Sequence, residues 1–404
     1  MRITLQEWNS TEFPRGEFDS YAREIHENYS EYVSVVHPSF DHEWLLQAKG
    51  YVGYLPFSGG VIEIVPKVPV SNLFGMLDVA YGLKSFKVLD DSVEMSSLAD
   101  FYSRLASILA HRVLARSRRG LFRTYRVENE SLSFIRGRID VRESLRSPLD
   151  PSVSCHYEEH TTDVVENRLI LFTLSTILRS GLCCEKYLPV VRHAYRVLSR
   201  FSSHEPFSWT DCLGRLYNRL NDDYEPMHGL CRFFLERMGP CQGRGERKML
   251  PFVISMHQLF EEFVAVWLAG KLKEDGRFSL SIQYSVEAGS FTIRPDLVVE
   301  DSQTGIPVLV ADTKYKASDS IDQDDVYQVV AYAQKLSCIE AVLIYPFRSD
   351  SRYSYDWNGI LTRTVEFDLQ QGLDLAGELF LREMFGASFN DSLYTEEAII
   401  GEEK

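Results

Sequence analysis

The 404-residue sequence contains no Gly-x-x-x-x-Gly-Lys-Ser/Thr loop, so this chain has no P-loop with which to cradle nucleotide phosphates. Residues 239–245 carry the glycines of such a loop without the Lys-Ser/Thr that must follow. With Pro240 among them they read as a linker. Cysteine is sparse as well: seven residues, an odd number with no C-x-x-C pair, which argues against a disulfide framework and against a zinc site. Cys155-His156 with His160 finds no second pair to complete a metal site. No apolar run approaches the roughly 18 residues that cross a bilayer. The N-terminus turns acidic at Glu7, too early for a signal peptide, so a cytoplasmic protein with reduced thiols is expected. Positive charge is the scarcest commodity: 43 Lys and Arg stand against 58 Asp and Glu, a net charge of −15. A protein that holds DNA by itself has a basic footprint, because phosphate neutralisation drives affinity. If this chain acts on nucleic acid, something else holds most of it.

What is present is concentrated in two short strings. Arg294-Pro295-Asp296-Leu297-Val298-Val299 is followed, after Asp301-Ser302-Gln303-Thr304-Gly305, by Val310-Ala311-Asp312-Thr313-Lys314-Tyr315-Lys316. Residues 291–300 and 306–316 are rich in Val, Ile and aromatics, and they read as two antiparallel strands joined by a tight turn. A turn centred near Thr304 sets Asp296 opposite Asp312, since each lies eight residues from it. Opposed residues have Cβ atoms about 4.5–5.5 Å apart, close enough for two carboxylates to share a cation. Asp312 and Lys314 are two apart and so project from one face of their strand.

Two carboxylates and an ammonium in this arrangement suit a divalent-metal phosphodiesterase. Mg²⁺ prefers carboxylate and water oxygens, polarises a phosphate and lowers the pKa of a bound water. Lys314 would orient or help deprotonate that water and offset charge on phosphorus. The competing reading is a surface hairpin with solvated Asp and Lys side chains. Leu309-Val310-Ala311 weighs against it, because a core-side carboxylate with no task is costly.

Helices flank the hairpin. Asp322-Gln323-Asp324-Asp325 starts one that runs on to Ala333, its early acids suiting a helix N-terminus. Gln328 and Tyr332, four apart, share a face towards the substrate side of the sheet. Upstream, 256–267 is helical, with Phe260, Phe263, Val264 and Trp267 as its buried stripe. Glu261 and Glu262 lie on either side of that stripe, and one of them could add a third acid.

The order Glu on a helix, P-D, D-x-K and Q-x-x-x-Y resembles the PD-(D/E)xK nuclease superfamily in its RecB-like branch. The wording is closer still to McrC, the nuclease subunit of McrBC modification-dependent restriction systems. Leu259-Phe260-Glu261, Arg294–Leu297, Asp312–Lys316 and Tyr327-Gln328 with Ala331-Tyr332 carry the likeness. Ile62–Lys67, Ile135-Arg136-Gly137-Arg138-Ile139-Asp140 and Glu166-Asn167-Arg168-Leu169 add to it over roughly 50–370. The resemblance implies that Glu261 rather than Glu262 joins Asp296 and Asp312 on Mg²⁺, with Mn²⁺ as a substitute, and that Lys314, Gln328 and Tyr332 complete the centre. It implies a partner in trans, a McrB-like AAA+ GTPase hexamer that recognises and translocates methylated double-stranded DNA. Some RecB-like nucleases carry an iron–sulfur cluster after the Q-x-x-x-Y helix. Only Cys338 lies there, so none is expected.

The fold expected is α/β. A C-terminal restriction-endonuclease-like domain (246–404), with a mixed central sheet flanked by helices, follows an α+β N-terminal region (1–160) and a helical region (161–245). Residues 104–146 hold eleven arginines against four acids. The stretch reads as a helix (99–118) and a hairpin (122–127 with 133–141) whose Arg123, Arg126, Arg136 and Arg138 are candidates for contact with the partner ring or DNA. Ordinary Arg–carboxylate pairing is the bland alternative. The tail 395–404 is acidic. Two other functions remain open from sequence alone: a stand-alone repair or recombination nuclease, and a non-enzymatic activator of an NTPase ring with a vestigial nuclease fold.

Overall fold

The computed structural model describes residues 1–14, 16, 18–36, 43–83, 98–144, 152–237, 251–288, 291–316, 321–348 and 353–386. The linker expected at 239–245, the acidic tail and Arg146 lie outside them. The chain forms two compact units, one made of residues 1–98 with 251–404 and the other of 99–250.

The first unit is discontinuous because the chain, after residue 250, returns to the N-terminal sheet. In that four-stranded sheet Arg2–Gln6 pairs parallel with Gly60–Val65, which pairs antiparallel with Tyr51–Phe57. The fourth strand is Phe252–Ser255, laid antiparallel on Tyr51–Phe57 with Phe252 opposite Tyr54. A smaller sheet (Ser10–Phe13, Trp44–Ala48, Val33–Val36) and the helix Asp19–Tyr29 close its core around Ile25, Val33, Leu46, Leu55, Ile62 and Ile64. The compact units therefore differ from the three-way division at 160 and 245. A strand from beyond residue 250 completes the N-terminal sheet, whereas everything from 99 to 237 that is described packs together.

Phe252–Ser255 leads straight into the helix Met256–Asp275, which Ser255 caps by accepting from the Gln258 N–H. Phe260, Phe263, Val264 and Leu268 are fully buried, giving the helix its inner face, while Trp267 is only partly covered. Next comes a six-stranded sheet in the order Phe278–Ile282, Leu297–Asp301, Pro307–Thr313, Glu340–Tyr345, Ile360–Glu366, Ser354–Trp357. Its two central pairings are parallel and the others antiparallel, so the sheet is mixed. The parallel step from Pro307–Thr313 to Glu340–Tyr345 needs a crossover. The helix Gln323–Leu336 supplies it, burying Val326, Val329, Val330 and Ala333 against Val298, Val310, Ala341 and Leu343.

One strand expectation fails in detail. Residues 291–300 are not one strand: Phe291–Ile293 pairs with Val286–Ala288 in a separate ribbon, and the chain re-enters the main sheet only at Leu297. Pro295, which has no N–H to give to a ladder, stands at the break.

In the second unit Leu98–Arg119, Val165–Ser180, Leu188–Leu198 and Glu225–Arg237 are helical. They bury Phe101, Tyr102, Leu174, Phe233 and Phe234. The hairpin expected between 122–127 and 133–141 does not form as such. Thr124–Leu132 and Arg138–Ile139 both pair antiparallel with Val153–Thr161, which lies between them. The competing strand comes from further down the chain, and its nine residues match Thr124–Leu132 along their whole length. None of the helices described is long and apolar enough to cross a membrane.

Candidate active site

The hairpin at 297–313 fixes the first two carboxylates. Leu297 pairs with Ala311, Val298 with Val310 and Val299 with Leu309, which leaves Asp296, at the bend before the ladder, and Asp312, next after Ala311, at the same end of the hairpin. The turn between them is tied by Asp301, whose Oδ1 accepts from the Gln303 and Thr304 N–H groups and the Thr304 hydroxyl. A one-residue slip occurs only near the turn, between Val299 and Glu300, away from the acids.

Asp296 is half-buried at the bend before its strand. The backbone N–H and the hydroxyl of Thr313 both donate to its Oδ2, each at 2.8 Å. Asp312 is 3% exposed. Its Oδ2 stands 2.5 Å from the Lys314 Nζ. Burial first, and then the negative charge of Asp296, push the Asp312 carboxyl up to about 6, with Lys314 opposing. This is the expected behaviour of two carboxylates set together without a cation between them.

Lys314 follows the strand directly, its backbone N–H donating to the Ile344 carbonyl at 2.8 Å, and its side chain is held at several points. Nζ donates to Gln328 Oε1 at 3.0 Å and lies 3.5 Å from Asp325 Oδ1. Gln328 Nε2 in turn donates to the Tyr332 hydroxyl at 2.6 Å, so both members of the Q-x-x-x-Y helix face the lysine's side of the sheet. Burial pulls the Lys314 ammonium down, but Asp312, Asp325 and Asp296 outweigh it and its pKa is raised. The side chain stays charged.

Glu261 and Glu262 are both half-buried. Glu261 Oε1 accepts from Gln283 Nε2 at 3.4 Å. Burial and then the charge of Asp296 raise its pKa, which places it within the same electrostatic neighbourhood. Among the described residues no three His, Cys, Asp or Glu side chains are gathered closely enough to hold a metal ion. The carboxylates are turned to other partners: the Thr313 N–H donates to Asp296 Oδ2, Lys314 is ion-paired with Asp312 Oδ2 and Gln283 donates to Glu261 Oε1. The donor set is nonetheless all oxygen, and the raised carboxyls of Asp312 and Glu261 mark a place where a hard cation would relieve repulsion. Two carboxylates with waters are the usual protein share of a Mg²⁺ shell.

Sequence reasoning missed two side chains here. Thr313 looked like the spacer in D-x-K, yet it is the clamp on Asp296. Tyr315, at the next position after Lys314, donates its hydroxyl to Glu7 Oε2 at 3.0 Å. Glu7 is fully buried, and burial pushes its carboxyl up to about 7. A residue of the first strand's end thereby anchors the segment that carries Lys314, a pairing across 308 positions that no local pattern could reveal.

The arginine-rich sheet of the second unit presents all four arginines singled out above. Arg123, Arg126, Arg136 and Arg138 are exposed. Arg126 is ion-paired with Glu128 and lies 3.8 Å from Asp163. Arg136 reaches Glu159 at 3.2 Å and lies over the Tyr157 ring at 4.0 Å from its centroid. Arg–carboxylate pairing thus holds for two of the four. Gly137 must be glycine: its φ is +67°, and a Cβ there would stand 2.4 Å from the His156 carbonyl oxygen. Beside the arginines, Tyr125, Val127, Phe134, Ile135 and Val141 are each at least 60% exposed. Asn167 fixes the root of the sheet, donating to the Phe122 and Thr162 carbonyls and accepting from the Tyr224 hydroxyl.

Comparison with known proteins places the chain as a whole. The family model described as McrBC 5-methylcytosine restriction system component matches residues 46–346. The Type IV methyl-directed restriction enzyme EcoKMcrBC of Escherichia coli K12 is 24% identical over 327 residues, spanning 73% of this chain and 90% of that protein. In fold, the chain is similar to a chain of the half-complex of Thermococcus gammatolerans McrB AAA+ hexamers with bound McrC. The TM-score is 0.60 at 18% identity, over 95% of this chain and 99% of that one.

Proposed function

Since the chain belongs to the family of McrBC 5-methylcytosine restriction system components, we propose that it is the Mg²⁺-dependent DNA endonuclease subunit of a GTP-driven, methylation-dependent restriction complex. The observation that carries this reading is the hairpin end that gathers Asp296, bonded to Thr313, beside Asp312, with the Lys314 ammonium 2.5 Å from the second acid. The chain is of the PD-(D/E)xK type on this reading, and its acidic balance and lack of a P-loop assign DNA capture and nucleotide hydrolysis to a McrB-like AAA+ partner.

Asp296 and Asp312 would hold Mg²⁺, with Glu261 as the third carboxylate; Mn²⁺, with similar oxygen preference, would substitute. The bound cation supplies Lewis acidity and an acidified water. The protein's own share is orientation. Thr313 keeps Asp296 turned towards the hairpin, and Gln328, itself held to Tyr332, steers the lysine. Because Lys314 stays charged, it serves as a donor to the scissile phosphate and offsets the charge that builds on phosphorus, rather than starting as a base.

The test is cleavage of 5-methylcytosine-containing and unmodified DNA by the chain with its AAA+ partner. Cutting is expected only with partner, GTP and Mg²⁺ or Mn²⁺ together, and only on methylated DNA. Metal-dependent cutting by the chain alone would replace this reading with the stand-alone nuclease. Stimulated GTP hydrolysis without any cutting would replace it with the non-enzymatic activator.

The exposed arginine and apolar surface of the second unit is the proposed docking face for the ring. Removing both Arg136 and Arg138 as alanines should lower partner-stimulated GTP turnover about tenfold or more, as loss of a few charged interface contacts does. Far-ultraviolet circular dichroism should be unchanged. Undiminished turnover in the double variant would remove these arginines from the interface.

A further inference from the structure

Asp325 is a buried acid at this centre that no motif accounts for. It sits in the first turn of the helix Gln323–Leu336 and is buried, 7% exposed. Its two oxygens are divided between two lysines: Oδ2 lies 2.6 Å from Lys316 Nζ and Oδ1 lies 3.5 Å from Lys314 Nζ. Asp322, the N-cap of the same helix, shares Lys316 at 3.2 Å. Asp325 and Gln328 are three apart, so they lie on one helical face. Among the described residues, that face therefore presents two of the three partners of the Lys314 ammonium, the third being Asp312 on the strand.

We infer that Asp325 is a positioning residue for Lys314, the helix-borne carboxylate that keeps the ammonium in place beside the reacting phosphate. The inference rests on the nuclease reading above and deepens it. The physical case is one of competition. Asp312 is a proposed cation ligand, and a carboxylate that gives its charge to a divalent ion holds an ammonium less strongly. Gln328 is neutral and exposed and offers a single oxygen. Among the described residues Asp325 is the remaining carboxylate within 4 Å of Nζ, and its burial makes the ion pair count for more than a solvated one. Lys316 lies on the other oxygen, Oδ2, and leaves Oδ1 to Lys314. The bland alternative is that Asp325 exists to anchor Lys316 at the helix start.

The two roles separate in a pair of variants. Asp325→Asn should lower kcat of the partner-driven cleavage about 10- to 100-fold with KM within about threefold, the pattern of an interaction used after binding. Asp325→Glu should recover most of the loss. Lys316→Met, which removes the 2.6 Å bond and leaves the Asp325–Lys314 contact, should stay within about threefold of the parent. A second measurement needs no cleavage: acetylation of metal-free, DNA-free protein with an amine-reactive ester at fixed pH, read lysine by lysine by mass spectrometry. Lys314 should react at least about fivefold faster in Asp325→Asn and unchanged in Lys316→Met, with Lys271 and Lys335 as internal references. A parallel rise at those references would mean unfolding. The double variant Asp325→Asn/Lys316→Met, which also removes the lysine that would otherwise face the new amide, then serves in its place. The proposal is overturned if Lys316→Met reproduces both effects, if Lys314 labelling does not respond to loss of Asp325, or if it responds while kcat does not. Absence of cleavage by the parent complex would overturn the nuclease reading instead, and the labelling would still decide whether Asp325 holds Lys314.

Discussion

Asp312→Asn should abolish cleavage and at the same time make the metal-free protein more stable at pH 8. The loss follows from removing a carboxylate that would hold the cation and that holds Lys314 at 2.5 Å. Metal-assisted stabilisation of the reacting phosphate is worth several kcal/mol, which corresponds to a fall of about 10³-fold or more. The gain in stability follows from the sign of the Asp312 shift. Its folded pKa, about 6, is raised above the ordinary carboxylate value. The favourable contribution of a raised carboxyl is fully present below its unfolded pKa and is lost as pH rises through the folded one. Above pH 6 the ionised, buried Asp312 is a net cost, on the order of 1–3 kcal/mol. Asparagine keeps the shape and removes that cost. Thermal melts should therefore give Asp312→Asn a higher Tm than the parent at pH 8, by several degrees for a unit of this size, with the two converging near pH 4. Millimolar Mg²⁺ should raise the Tm of the parent at pH 8, as any ligand of the folded state does, and leave the variant unmoved. A variant that melts lower at pH 8, or that responds to Mg²⁺ like the parent, would show that Asp312 does not carry the strain described here.

How much of this centre could be read from the sequence depends on how local each relation is. That Asp296 and Asp312 come to the same end of the hairpin was legible, because period-two strands and a tight turn at 301–305 fix the pairing of Leu297 with Ala311 by counting. Gln328 and Tyr332 were legible because a spacing of four returns to the same helical face. The break at Pro295 was written in the sequence and passed over: strand propensity on either side of it masked the missing N–H. The clamp of Thr313 on Asp296 was hidden, since it depends on how a bend outside the ladder turns one carboxylate. Glu7 with Tyr315 could not be found by any local rule. The arginine hairpin failed for a related reason. Residues 133–141 look like the nearest partner for 122–127, but the strand Val153–Thr161 takes Thr124–Leu132 and Arg138–Ile139, and pairing follows length and register rather than proximity in the chain. The exposed Phe134, Ile135 and Val141 were invisible as a surface feature because apolar residues in a β-prone string read as core.

Gly53→Ala should cost the first unit about as much stability as a large core deletion, although it adds only a methyl group. Gly53 lies in Tyr51–Phe57 opposite Val253, at the seam where the returning chain joins the N-terminal sheet. Its φ is +149°, a conformation that L side chains rarely adopt, and a Cβ would stand 2.0 Å from the Phe252 carbonyl oxygen and 2.9 Å from the Val253 Cα. Both obstacles are backbone, so no side chain can turn aside; either the strand Phe252–Ser255 moves or the backbone at 53 does. Strain and lost ladder bonds together should amount to about 4 kcal/mol, a fall in Tm of roughly 10 °C. The consequence for function is indirect but specific. Phe252–Ser255 feeds the helix that carries Glu261, and that helix starts against Tyr51–Phe57 with the Met256 N–H donating to the Gly50 carbonyl at 3.1 Å. Displacing the strand displaces Glu261 relative to Asp296, so cleavage measured well below the new Tm should also fall. Gly270→Ala is the matched control: it lies in the same helix, a Cβ there meets nothing within 4 Å, and alanine should stabilise the helix by about 1 kcal/mol. If Gly53→Ala melts with the parent and cuts with it, the returning strand is not what joins the two ends of the chain into one unit, and the position of Glu261 must be set by the nuclease sheet alone.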